Sequence, residues 1–320
     1  MSNTSQITDQ DGVTFDNQKL IDYLSSAPNG EVKEASAAGS KMIRRKIREN
    51  AFSRSIIPPQ PITNAQLDRA LNTNLPFVID EMEPKSPGAK AISFNDTTDT
   101  AFYDVERFAT YFETITTKEF TKNVDELRTV RSDLRAVTTD NSLKEVQRTE
   151  DSGFIKGIDR LVGPEGGVGP FSGRQQNFVI NGPISRETYP DILKLLEAFE
   201  LNNGVALMNR STAKEFLKFP RSEIGGDLSE EMFKDGLSAI KEAKLFGVRH
   251  LFTIKQDLVP DNVVYLFTEP DYLGVWYQLE DITMYVEKKE DILRFKAKEK
   301  LGVSIANVLG VVRVRFDPTA

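Results

Sequence analysis

The chain contains no cysteine and a single histidine, His250. Without cysteine there are no disulfides, thiolate nucleophiles or thiolate-bound metals, which fits a protein made in a reducing cytoplasm. With one histidine, Ser-His-Asp catalysis, His-Glu-x-x-His zinc sites and multi-histidine metal centres lack their parts. His250 lies between apolar residues in FGVRHLFTI, the setting of a structural histidine in or beside a strand rather than of a lone base. No apolar run approaches the roughly 20 residues that span a bilayer. The opening MSNTSQITDQDG is polar and acidic, unlike a secretory signal. Positive charge is also in deficit: a net charge of -7 argues against nucleic-acid binding by bulk electrostatics. Nucleophile elbow, kinase loop and dinucleotide fingerprint are missing, so no cofactor or metal is expected.

What is present is a chain of 320 residues, 39% hydrophobic and 28% charged, enough for one large domain or two ordinary ones around a real core. Residues 1–40 are polar, with six acids against two lysines, and are expected to be mobile or to dock elsewhere. Residues 41–54 reverse the sign. Lys41, Arg44, Arg45, Lys46, Arg48 and Arg54 face one acid, Glu49, around a narrow stripe of Met42, Ile43 and Ile47. Such a basic helix is either a solvated face or a segment that meets an acidic partner or packaged nucleic acid. Ile56 to Pro61, IIPPQP, reads as a rigid extended connector.

Residues 76–112 alternate like strands. Phe77 to Glu83 runs into the turn signal Pro84-Lys-Ser-Pro-Gly88, Ala89 to Phe94 returns, and aromatics follow at Phe102, Tyr103, Phe108, Tyr111 and Phe112. A long two-stranded hairpin is marginal alone and needs a partner surface. Phe120, Val124, Leu127, Val130 and Leu134 keep a helical spacing with Thr121 as cap. A second, sparsely apolar helix over Asn141–Leu161 starts from Asp140 as N-cap. It carries Leu143, Val146, Phe154, Ile158 and Leu161 on a stripe interrupted by Glu150, as a strut with one side packed and one wet. Gly163 to Gly173 is a glycine-rich loop without the Gly-Lys-Ser/Thr ending of a phosphate cradle.

The remainder reads as α/β. A helix capped at Thr188 presents Tyr189, Ile192, Leu193, Leu196 and Phe199. Strand Val205–Met208 leads to a short helix capped by Asn209 or Ser211. Phe233, Leu237, Ile240 and Leu245 form a helical stripe. Strands follow at Val263–Phe267, Gly274–Leu279, Ile282–Lys288, Ile292–Leu301 and Val308–Phe316, the last with Val312, Val314 and Phe316 on one face and Arg313 and Arg315 on the other. The adjacent acids Glu230-Glu231 and Glu280-Asp281 point apart and are expected to be solvated, although they keep a carboxylate-dependent hydrolase among the alternatives.

This order of elements resembles the major capsid protein of tailed bacteriophages, the Hong Kong 97-like fold family. RENAFSRSIIPPQPIT is similar to the end of its N-terminal arm and FVIDEMEPKSPGAKAISF to its extended E-loop. FTKNVDELRTVRSDLRAVTTDNSLKEVQRTEDSGFIKGI resembles the approach to the spine helix and the helix itself, and GVALMNRSTAKEFLKF the strand and helix of the A domain. YLGVWYQLEDITMYVEKKEDILRFKAKEKLGVSIANVLGVVRVRF resembles the closing strands. The resemblance implies an α+β chain divided into an N-terminal arm (1–54), an E-loop (76–112), an A domain (186–299) and a P domain (55–75, 113–185 and 300–320) with a spine helix at about 140–162. It implies a structural protein, not an enzyme, that self-assembles into pentamers and hexamers of an icosahedral virion capsid in the bacterial host cytoplasm. Its partners would be scaffolding, portal and decoration proteins and, without sequence preference, packaged double-stranded DNA; none is a membrane. Because only about 50 residues precede the connector, a separate scaffolding protein is expected. Interface candidates are Arg44, Arg45, Arg48, Lys85 and Lys90. Some family members cross-link a loop lysine to a neighbour's asparagine, a role for which Lys85, Lys90 and Asn307 are the residues at hand. An encapsulin-type compartment shares the fold, and a tail or baseplate component fits the strut helix less well.

Overall fold

The computed structural model describes residues 51–70, 72–82, 89, 91–94, 97, 100, 102, 105–123, 125, 134–218, 242–245, 247–289 and 291–318, without the side chains of 134–141, 217, 218, 242 and 245. Among these the chain runs α1 (Phe52–Ile56), β1 (Gln60–Pro61), β2 (Asp68–Ala70), β3 (Thr73–Glu81), β4 (Arg107–Tyr111), β5 (Glu113–Thr116) and β6 (Phe120–Asn123). Then come α2 (Leu134–Val162), β7 (Asn177–Asn181), α3 (Thr188–Glu197), β8 (Val205–Asn209), α4 (Arg210–Ala213), β9 (Glu242–Leu245) and β10 (Val248–Thr253). The chain closes with β11 (Val263–Phe267), α5 (Pro270–Leu273), β12 (Gly274–Lys289), β13 (Ile292–Ile305) and β14 (Val311–Asp317). No described helix is long and apolar enough to cross a membrane.

The uninterrupted apolar runs VALM and VVYLF belong in a sheet covered on both faces. They form β8 and β11 at the centre of a six-stranded sheet ordered β7-β14-β11-β8-β10-β9. Alternate residues serve two separate cores. Ala206, Met208, Val264, Leu266, Val312, Val314 and Phe316 pack beneath Tyr189, Ile192, Leu193 and Leu196 of α3. Val205, Leu207, Val263, Tyr265, Phe267 and Val311 face the opposite way, onto Phe154, Ile155, Ile158 and Val162 of α2. Arg313 and Arg315 also fall on that second side, at the end of α2, where Arg313 lies 3.7 Å from Asp159 and Arg315 Nη2 reaches Glu165 Oε2 at 3.0 Å. Asn209 caps α4 by accepting from the Thr212 amide at 2.7 Å.

The 29 residues of α2 reach about 43 Å, further than one sheet is wide. Its first half therefore packs elsewhere: Leu143 and Val146 sit on Ile282, Met284, Leu293, Phe295 and Ala297. These belong to a five-stranded sheet built on the β12–β13 hairpin, flanked by β1 on one edge and by β5 and β6 on the other. β12 spans both segments expected as separate strands, accommodating the break by register shifts between Gln278 and Glu280 and between Glu280 and Thr283. A third, three-stranded sheet, β2-β3-β4, forms a separate ribbon, joined to β12 by the Tyr277 hydroxyl donating to Asp80 at 2.7 Å.

Several expectations fail for identifiable reasons. Phe120 does not start a helix. It opens β6 opposite Phe295, because a strand edge offered by β13 outweighs a helical spacing of apolar residues. Asp140 is not a cap; the good helix formers Leu134-Arg-Ala carry α2 through it. The described residues of Ala89–Phe94 are not in a strand, and the partner of β3 is β4, in register Phe77 with Tyr111 to Glu81 with Arg107. Leu245 ends a strand, not a helix: it pairs with Val248 across a turn at Gly247, whose φ of +80° only glycine adopts easily. Ile56 closes α1 rather than joining the extended connector. Thr188 is the first residue of α3, not its cap. β7, which no periodicity announced, is parallel to β14 at the sheet edge.

Candidate functional site

His250 is fully buried in β10. Its Nδ1 lies 2.8 Å from the Val248 carbonyl, which can only accept, so Nδ1 donates and Nε2 accepts from the Tyr189 hydroxyl. Desolvation pushes its pKa down to about 4 against a smaller opposing push from that carbonyl. A base held neutral in this way binds fewer protons than it does unfolded, so the stability it carries is present above about 6.5 and is lost as the pH falls toward about 4. His250→Gln is expected to flatten this acid limb in urea titrations across that window; an unchanged limb would show that other groups set it.

Of the paired acids, Glu280 meets Lys300 at 2.9 Å and the Tyr285 hydroxyl at 2.9 Å, while Asp281 Oδ1 accepts from Gln278 and from its neighbour's amide. They sit at the irregularity in β12 and do not converge on a shared pocket. Glu230 and Glu231 lie outside the described residues. Among the described residues no three His, Cys, Asp or Glu side chains are grouped to hold a metal.

What the fold does display is uncovered apolar surface. Leu75, Phe77 and Ile79 alternate onto one face of β3. Phe77 is covered by Tyr111, ring to ring at 5.6 Å, whereas Leu75 (61%), Ile79 (45%) and Tyr111 (50%) remain exposed. Phe94 and Phe102 are fully exposed. Beside the root of this ribbon runs a groove of about 830 Å³ between α2, β4, β5 and β13, walled by Tyr111, Phe154, Leu161, Phe171, Trp276 and Val303. Gly153 and Gly157, one turn apart on α2, floor it, and a Cβ on either would meet nothing within 4 Å. Gly302 does the opposite job. A Cβ there would stand 2.9 Å from the Tyr111 carbonyl, so only glycine lets the ribbon pass this close to β13.

The segment leading out of the first 50 residues is anchored. Arg54 Nε and Nη2 fork onto Glu150 at 2.9 and 3.0 Å, and Nη2 also meets Glu299 Oε1. Next to it, the Ser53 amide and hydroxyl both donate to Asp151 Oδ1, whose Oδ2 pairs with Lys255 at 2.6 Å. Arg54, expected among the outward-facing basic residues, is thus a buried partner of this chain's own acids. Burial works against its charge, but Glu150 and Glu299 outweigh that and hold the guanidinium firmly protonated. Burial raises Asp151, partly offset by Lys255 and Ser53. Glu150, which broke the apolar stripe of α2, was the signal in the sequence for this cluster. Nothing there pointed to Glu299.

Arg44, Arg45, Arg48, Lys85 and Lys90 lie outside the described residues. Asn307 caps the short turn at Val308–Gly310, its side-chain oxygen accepting from the Leu309 amide at 3.1 Å.

No protein-family profile matches the chain, and no curated protein sequence does. Solved structures do match. The capsid of a native GTA particle is similar with a TM-score of 0.56 at 15% identity, over 82% of this chain and 89% of that one. The mature capsid of bacteriophage PhiM1 gives 0.56 at 7% identity, over 85% and 88%. A virus-like particle from Pyrococcus furiosus gives 0.54 at 14% identity, over 87% and 98%.

Proposed function

We propose that this chain, which has the mixed α+β fold of phage capsid proteins, is the major shell subunit of a tailed double-stranded DNA phage, assembling through pentamers and hexamers into an icosahedral capsid. The observation that carries the reading is the uncovered apolar surface on and beside the ribbon. Its exposed Leu75, Ile79, Phe94, Phe102 and Tyr111 have no covering surface among the described residues, and an apolar set of that kind calls for one. Another copy of the chain supplies it. In this reading the ribbon over 73–111 is the E-loop, α2 the spine helix, and the six-stranded sheet with α3 the A domain. The five-stranded sheet then joins α2 in the P domain, so residues 274–299 leave the A domain drawn from sequence and β14 enters it. The basic residues Arg44, Arg45 and Arg48 meet an acidic neighbour or the packaged DNA, Lys85 and Lys90 belong to the ribbon's contact with its neighbour, and scaffolding and portal proteins complete the particle. The function is structural rather than catalytic.

The test is electron microscopy of the purified protein, alone and co-expressed with its genomic neighbours. Closed shells or capsomer rings are expected. Deleting Glu83–Lys90 is expected to leave a folded monomer, with circular dichroism unchanged, that forms no stable shell. A monodisperse monomer of about 36 kDa under every condition would overturn the reading. The Pyrococcus furiosus likeness favours keeping one second reading, a shell of encapsulin type. Particles filled with a cargo protein instead of DNA would select it.

A further inference from the structure

The cluster around Arg54 does not balance. Glu150 and Glu299 have fully buried side chains and share one guanidinium, itself 5% exposed. Glu299 Oε1 is occupied by Arg54 Nη2 and by Gln278 Nε2, the latter at 3.0 Å. Glu299 Oε2 is buried and accepts no hydrogen bond among the described residues. A carboxylate oxygen in such a place is one of the costliest unsatisfied groups a protein can hold.

Among the described residues no second cation pairs with either acid. The elements packed against Glu299 contribute Arg54 from α1, Glu150 from α2, and Gln278 with Asp281 from β12. Its partner across β5 is the apolar Ile115. On its own strand Lys300 is committed to Glu280. The adjacent Asp151–Lys255 pair is neutral by itself.

We propose that Glu299 carries a proton on Oε2, and that this stored proton is the catch that fastens the exit of the N-terminal 50 residues to α2 and β13. With the proton in place the charges of Arg54, Glu150 and Glu299 sum to zero, and α1 is held through Ser53 and Arg54. Removing it leaves a net negative charge among buried side chains, which is relieved by α1 loosening to admit water. Burial, and after it the proximity of Glu150, hold the Glu299 carboxyl well above the ordinary glutamate range. An acid raised in this way contributes stability that is complete below its unfolded value and is lost as the pH rises toward the folded one. The device is independent of what the protein assembles into. It sets how tightly the preceding segment is tethered.

The test compares wild type with Glu299→Gln, Glu150→Gln and the double variant in urea titrations at about pH 6 and about pH 8. One proton released on unfolding makes the wild-type unfolding constant rise about tenfold per pH unit across the window. In Glu299→Gln the amide replaces the O–H donor, so that slope is expected to vanish and stability at about pH 8 to equal or exceed wild type. Glu150→Gln is expected to remove the slope too, leaving Glu299 paired one to one with Arg54. It also keeps the test alive if the first variant misfolds. The double variant strands Arg54 without a counter-charge and is expected to lose far more than the sum of the singles. Hydrogen exchange over residues 51–57, corrected for its intrinsic pH dependence, should quicken at the higher pH in wild type only. Single variants that are less stable at about pH 8 with an unchanged slope, or a double variant whose effect is additive, would overturn the proposal.

Discussion

Arg54→Ala is expected to lower the unfolding free energy by about 3–5 kcal/mol, the usual penalty for removing one partner of a buried ion pair. The loss arises less from missing attraction than from what remains: Glu150 and Glu299, both fully buried, facing each other without a cation. The guanidinium also stands 5.9 Å over the Trp276 ring, so its removal uncovers that ring as well. Arg54→Lys keeps the charge but not the fork that bonds Glu150 through two nitrogens and Glu299 through one of them, and should recover only part of the stability. Urea unfolding followed by circular dichroism measures both. A loss under about 1 kcal/mol for Arg54→Ala would mean that water enters the cluster and solvates the acids, as at a surface pair.

Trp276→Ala should be of similar size, about 3–5 kcal/mol, through a different cause. The indole is 1% exposed and lies where α1, α2 and β12 converge, with Phe154 at 6.3 Å and the Arg54 guanidinium over its face. Truncation opens a cavity beside the α2 groove that neighbours on three elements cannot fill together. Trp276→Phe is expected to cost less than Trp276→Ala because it leaves a smaller cavity, and the buried Nε1 of Trp276 has no hydrogen-bond partner among the described residues to lose. As the only tryptophan of the chain, Trp276 also reports wild-type unfolding directly by fluorescence. A Phe variant as damaged as the Ala variant would show that the site cannot close around the smaller ring.

Apolar periodicity was readable wherever a segment's own neighbours in sequence decide its burial. α3 shows Tyr189, Ile192, Leu193 and Leu196 at the expected helical spacing, with Phe199 past its end, and β8 and β11 lie where the spacing put them, whereas β14 starts at Val311, after a short turn over Val308–Gly310, where the strand was expected to begin. The Asn209 cap, a local bond, was equally legible. Errors gathered where a distant strand made the choice. β6 is a strand because β13 pairs with it, and β12 is one strand because bulges absorb its irregular middle. The ribbon's return begins at Arg107 rather than Ala89, since register is set by pairing along the whole length of β3.

The same division separates the candidate functional features. Composition excluded thiol and multi-histidine chemistry, and the order of elements carried the resemblance to a capsid fold. Both follow from residue types and local spacing, which a chain carries whether folded or not. The polar faces expected for α2 hold Gln147 and Asp151, both buried in the fold, as is Glu150, which interrupts its apolar stripe. Burial and charge pairing are properties of contacts between residues far apart in sequence, such as Arg54 and Glu299, separated by 245 positions. Sequence periodicity assigns a residue to a face, but only the packing of other elements onto that face decides whether it is dry. Here it also decides that an arginine from a segment read as outward-facing becomes the partner of two acids at the centre of the molecule.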